Sequence, residues 1–238
     1  NWQNESGKTY VYMAIRRPDG YVSKPAEAGT DVFAMDTGNS SVPSFDTTFD
    51  VDFALARTFG STDNWYAVSR LMQGRPLLAN ATGAQDTQSW AAFDTSNGWA
   101  TGFGSSQQSW MWKRGQGFDL VTYTGDDAVF KDIPHSLGTT PEMIWVKCRD
   151  DNGQWVVGHK GRNGGTNPWN YFSALNGNGA DEDNIMFNDT PPTSTHFTVG
   201  TDNDVNDTDT YVAMLFSSVS GISKVGSYSG SGSTGNAQ

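Results

Sequence analysis

The stretch TYVAMLFSS, residues 210–218, reads as a β-strand: short, apolar, aromatic and β-branched, and bounded by turn formers. It aligns without a gap to TYVYMAIRR, residues 9–17, where Thr9, Tyr10, Val11 and Met13 match Thr210, Tyr211, Val212 and Met214. A middle copy is SWMWKR, 109–114. Working outward, ALARTFGSTDNWYAVSRL echoes WVKCRDDNGQWVVGHKG as strand, turn, Trp65 or Trp155, strand, then Arg70 or Lys160. LLANATGAQD and AAFDTSNGW in turn echo SALNGNGADEDNIMFNDTPP. Elements recur in the same order at a spacing of roughly 100 residues, the signature of an internal repeat.

Period-two patterns dominate elsewhere, in VDFALAR (51–57), NWYAVSRL (64–71), FDLVTYTG (118–125), MIWVKC (143–148), QWVVGHK (154–160), HFTVG (196–200) and KVGSYSG (224–230). CRDDNGQW carries an Asp-Asn-Gly turn between two strand patterns and predicts a hairpin, and FGSTDNW is its longer counterpart. PAEAGTDVFAMD (25–36) has room for one helical turn, and no long 3.6-residue period occurs anywhere. The expectation is an all-β protein of two tandem antiparallel β-sandwich repeats, of jelly-roll or lectin-like type. Repeat 1 spans 1–116 and begins with the final strand of a preceding unit. Repeat 2 spans 117–238 and ends with the first strand of a following one. The terminal strands then belong to a longer array, pair with a neighbouring subunit's sheet edge, or fold back within the same chain.

Composition narrows the function classes. The 238 residues carry a net charge of −11, the reverse of what displaces counterions from phosphate or binds an anionic membrane surface. Neither nucleic acid nor membrane insertion is expected, and no apolar run reaches the ~20 residues of a spanning helix. Aromatics make up 13% of the chain, with nine Trp, so its cores are built on large flat side chains. One thiol, Cys148, cannot form an intrachain disulfide and reads as a small core residue. The opening NWQNESGK has no initiator Met and does not read as a secretory leader. Either residues were removed or the sequence begins inside a longer product.

Catalytic signatures are not found. His135, His159 and His196 lack metal-ligand spacing. No GxSxG or P-loop occurs, and GFGSS (102–106) reads as a turn. Carboxylates are plentiful but sit in no recognisable glycosidase frame. The chain is expected to be no enzyme and to need no cofactor. The stretch TDNDVNDTDT gathers Asp202, Asp204, Asp207 and Asp209, which form either a calcium loop or a solvated acidic turn. NPWNYF places Trp169 and Tyr171 among asparagines, suited to glycan or partner contact or to core packing.

Taken together, YVYMAIRR, WMWKRGQGFDLVTYTG, IPHSLGTTPEMIWVKCRD, WVVGHKG, FTVGTDNDVN and DTYVAMLFSSVSGISKVGSYSG resemble a family of repetitive virion proteins of marine bacteriophages, described as tail-fibre or phage structural proteins. The resemblance rests on the Tyr-Thr-Gly strand, the His135 to Glu142 turn, the strand ending at Lys147 and Arg149, and the ISKVGSY junction. It is close over 109–230, looser over 9–108, and departs at RRPDGYVSKPAEAGTDVFAMD. It implies a β-sandwich component of an extracellular virion that self-associates or binds other virion proteins, with a host-surface glycan as a further partner. It carries over no catalytic residue. A capsid-decorating protein, an extracellular filament subunit, and a carbohydrate-binding module or glycan depolymerase are the alternatives.

Overall fold

A computed structural model describes residues 26–228. The expected strand at 9–17 and the last residues of the KVGSYSG pattern lie outside the described residues. The first half holds β1 (Phe33–Thr37), β2 (Phe45–Asp46), β3 (Phe53–Thr58), β4 (Tyr66–Ser69), β5 (Leu77–Leu78), β6 (Gly98–Trp99) and β7 (Gln107–Trp112). The second holds β8 (Phe118–Thr124), β9 (Lys131–Pro134), β10 (Met143–Cys148), β11 (Val156–His159), β12 (Tyr171–Ala174), β13 (Glu182–Asp183), β14 (His196–Val199) and β15 (Thr210–Phe216). A single α-helical turn, α1 (Asn203–Asn206), and short 3-10 turns complete the described residues. No helix among them is long and apolar enough to cross a membrane.

The chain is an all-β protein whose antiparallel strands form sandwiches, and the longer strands fall on the alternating stretches. Three stretches differ from expectation. Residues 26–36 do hold one helical turn, a 3-10 turn at Gly29–Asp31, but it is followed by a strand, β1, because Phe33 pairs into the sheet opposite Trp112. The loop 201–209 contains α1, N-capped by the Asp202 carboxylate, which accepts from the Asp204 amide at 2.9 Å. Residues 224–228 form no strand, and the ladder ends in a bridge between Val219 and Ser223.

Both halves use one strand order. The first sheet runs β1-β7-β3-β4-β5 and the second β8-β15-β10-β11-β12, extended by β13. Each sheet is faced by a two-stranded ribbon, β2 with β6 and β9 with β14. The pairs aligned in sequence occupy matching joints. Arg70 donates its amide to the Asp52 carbonyl at 3.0 Å, and Lys160 donates to that of Glu142 at 2.8 Å. Ala79 likewise donates to the Trp65 carbonyl, and Leu175 to that of Trp155.

Alternation along the strands builds three cores. Ala54, Val68 and Met111 face Phe45 and Trp99 of the first ribbon. Ile144, Val146, Tyr211, Ala213 and Leu215 face Ile133 and Phe197 of the second. The opposite faces meet each other. Phe53, Ala67, Met72 and Leu77 pack on Phe118, Leu120, Trp155, Val212 and Met214. The molecule is therefore a stack of ribbon, sheet, sheet and ribbon. Sheets covered on both faces need apolar residues at both parities, which is why β15 reads Tyr-Val-Ala-Met-Leu with five consecutive buried residues.

Polar bonds lock the halves together. The Trp155 indole donates to the Leu78 carbonyl at 2.9 Å, and the Gly153 amide to Thr82 at 2.9 Å. The Arg149 guanidinium reaches Gln85 Oε1 at 2.9 Å. In the link between β7 and β8, the Arg114 amide donates to Asp52 at 2.8 Å while its guanidinium pairs with the buried Asp119 at 2.8 Å.

Candidate functional site

The inter-sheet core opens at one end into an apolar pocket of about 660 Å³. Its wall is a run of rings, paired along each sheet and crossing between the sheets at Trp112 and Phe118, from Phe33 of β1 to Trp112 of β7, Phe118 of β8, Phe216 of β15 and Trp145 of β10. Successive centroids are 5.0, 6.2, 5.2 and 5.0 Å apart. Met143 continues the wall, while Ala28 to Thr30, Val32 and Ile222 to Gly226 form the rim. Ser217 lines the pocket too, and its buried hydroxyl has no hydrogen-bond partner among the described residues. This is the chemistry of a binding surface: flat apolar faces around one unspent hydroxyl.

His159 stands at the mouth, shared with a neighbouring recess of about 380 Å³ whose lining includes Val157, Arg162, Asp181 and Tyr228. Arg162 pairs with Asp181 and reaches the Ser173 hydroxyl. The imidazole Nδ1 of His159 accepts the Gly161 amide at 3.0 Å. Burial holds His159 below the ordinary histidine range, helped by the Arg162 and Lys160 charges. Glu142 takes the Lys160 ammonium at 2.6 Å and the Ser218 amide at 2.9 Å. Burial opposes its charge, yet the Lys160 and Ser218 hydrogen bonds outweigh it and hold the carboxyl below its usual range.

The acidic loop does not gather its carboxylates. Asp202 caps α1, Asp204 accepts the Gln154 amide at 3.0 Å, and Asp207 accepts that of Thr208 at 2.6 Å. Asp209 lies 3.5 Å from the Cys148 thiol. Among the described residues no three His, Cys, Asp or Glu side chains converge as metal ligands would. Stacked tyrosines fix the loop instead. Tyr123 donates to the Val205 carbonyl and Tyr211 to that of Asn203, each at 2.7 Å, with ring centroids 5.1 Å apart. The Asn-Gly of CRDDNGQW is explained by the same loop, since a Cβ on Gly153 would sit 2.4 Å from the Asp204 carboxylate.

Trp169 is 5% exposed and packs edge-on against Phe187 in the second-half core, so its ring has no face to offer a sugar. Room for it comes from Gly158 in β11, where a Cβ would lie 2.6 Å from the indole and 2.7 Å from Phe187. Tyr171 is half-buried on β12, opposite Asp183. The two residues therefore do not form one exposed platform. Cys148 is buried, and burial pushes its thiol up, the opposite of activation. Lys147 is fully buried. Its ammonium donates to the Cys148 carbonyl at 2.7 Å and points to that of Asp151, and burial lowers its pKa.

Sequence reasoning missed the pocket. Trp112 and Trp145 read as core, and Phe33 was hidden in a stretch expected to hold a helical turn. The available signal was parity: Val212 and Met214, with Phe216 packed against them, alternate with the residues that face the second ribbon, so this apolar strand face needs a second covering layer.

Residues 75–237 match a family described as a domain of unknown function (DUF7483). No curated protein and no solved structure matches the chain.

Proposed function

The chain belongs to that family, and from this premise we propose that it is a structural, non-catalytic component of a bacteriophage particle, in a tail fibre or similar appendage. One observation carries the reading: the residues of the virion-protein resemblance are spent on joints. Asp119 takes the Arg114 guanidinium at 2.8 Å and the Ser136 amide at 2.7 Å. His135 binds the Thr193 carbonyl at 3.2 Å, and Glu142 clasps Lys160 and Ser218. Arg149 ties the second half to the first. Such motifs build a frame, and the function of a frame is geometric: to stack, to space, and to hold loops outward.

The surface that meets a partner would be the loop tips. Val129 and Phe130, in the loop between β8 and β9, are 74% and 55% exposed side by side. Adjacent apolar residues on a rigid sheet suit protein or glycan contact. Immunogold labelling of particles with an antibody to this chain tests the assignment. Label along fibres supports it, and label on the head shell moves the chain to capsid decoration. Incubation with host-surface polysaccharide tests the enzymatic alternative, since new reducing ends would overturn a non-catalytic role.

A further inference from the structure

At the end of β3 and β7 away from the aromatic pocket, the first half has a second cleft, of about 250 Å³. It is lined by Arg57, Thr58, Tyr66, Trp90, Phe103 and Gln107. We propose that this cleft binds one ring of a neutral sugar, held against Tyr66, Trp90 and Phe103 and hydrogen-bonded by Thr58 and Gln107.

The internal repeat isolates what is particular to this cleft. Thr58 pairs opposite Gln107 and Ala56 opposite Tyr66, and the matching pairs of the second half are Cys148 opposite Tyr211 and Val146 opposite Val156. All four second-half residues are buried in one core, which Val205 of α1 helps to close. That helix sits in the loop 200–209 between β14 and β15. The corresponding loop 100–106, between β6 and β7, is three residues shorter, holds no helix and supplies Phe103 instead. One copy is plugged with apolar side chains, whereas Thr58, Tyr66 and Gln107 of the other stay half-buried around an opening. The rings are held in place by their own loops. Tyr66 meets Trp90 edge-on at 5.4 Å, and Trp90 lies 5.7 Å from Phe103. The Trp90 amide donates to the Gly74 carbonyl at 3.2 Å, and that of Phe103 to the Ser44 hydroxyl at 3.1 Å. Gln107 Oε1 accepts the Gly104 amide at 2.8 Å, while its Nε2 and the Thr58 and Tyr66 hydroxyls have no protein partner among the described residues. Flat apolar faces beside groups that donate and accept match a sugar ring, with its C–H face and its rim of hydroxyls. No charge is offered: neighbouring side chains leave opposite faces of a strand, and the Arg57 guanidinium stacks over Trp65 at 5.1 Å and donates to the Ser61 carbonyl.

Titration of the full chain with glucose, galactose, mannose and N-acetylglucosamine, followed by amide and indole NMR shifts, tests the proposal. The expected result is saturable binding of at least one sugar in the millimolar range. Shifts should appear at Thr58, Trp90 and Gln107 and not at Cys148, Val156 and Tyr211. Thr58→Val with Gln107→Leu keeps the bulk of both side chains, removes their hydrogen-bonding groups, and should weaken that binding about tenfold or more. An unchanged Tm establishes that the pair still folds, and Thr58→Val alone serves where it does not. No saturation by any of the four sugars up to roughly 0.1 M, saturation with shifts elsewhere, or binding that the substitutions leave unchanged would each overturn the proposal. Saturation by indole or phenol without any sugar response would overturn it too, and assign the cleft to an aromatic ligand. These outcomes bear on the cleft alone, since labelling of particles decides the virion assignment separately.

Discussion

At the residue scale, two histidines are tuned alike. His135 and His159 each accept, through Nδ1, the amide two positions on, at 3.3 Å and 3.0 Å. A proton on Nδ1 breaks that bond. Burial, the largest cause in both, also lowers their pKa from the ordinary 6.5. The unfolded chain then takes up protons first as pH falls. Their contribution is whole above about pH 6.5 and is lost as the pH drops through the folded-state values. Thermal melting should therefore show a lower Tm near pH 5.5 than near pH 7.5. A His135→Asn, His159→Asn variant, whose amides can still accept, should lose most of that difference. The aspartates give a second expectation. Because Asp202, Asp204, Asp207 and Asp209 answer to separate donors, excess EDTA should leave Tm unchanged, and a fall would reveal a structural cation. Sequence could cluster these carboxylates but could not show where each points, because a turn of helix disperses neighbours around its axis.

At the scale of the element, legibility followed length. β8, β10 and β15 run six or seven residues, long enough for their apolar and β-branched content to register. The pairs Phe45–Asp46, Leu77–Leu78 and Gly98–Trp99 are two residues each, and a two-residue ladder has no period to detect. Trp169 fails for a different reason. Its loop looks polar, but its burial depends on Gly158 in another strand, a contact invisible to local pattern. That dependence is testable. Gly158→Ala forces a methyl against two buried rings and should cost about 1–3 kcal/mol in chemical denaturation, without changing the strand content seen by circular dichroism. A neutral result would mean that the rings can withdraw.

For the whole molecule, the sequence disclosed that a unit is repeated but not how the copies meet. Apolar residues at both strand parities demand two partners per sheet; the pattern does not name the second one. The structure names it as the other sheet. Leu120 of β8 is fully buried against Phe53, Ala67 and Met72 of the first half. Leu120→Ala should cost about 2–5 kcal/mol. The loss should be read equally by exchange probes in β3 and in β10, with calorimetric and van't Hoff enthalpies in agreement. Independent melting of the halves would refute the shared core as the source of their cohesion.

The rim of the pocket carries one more consequence, a mechanical one. Residues 28–30, 32 and 222–226 border the same opening, so the described chain enters and leaves the stacked sheets at nearly one point. Tension applied at residues 28 and 226 would act across that narrow gap and peel the rim first. The hydrogen bonds of β8, β15 and β10 would stay unloaded until the rim had given way. Pulled in series, such bodies would lengthen at their junctions, and the sheets would behave as rigid beads on a compliant thread.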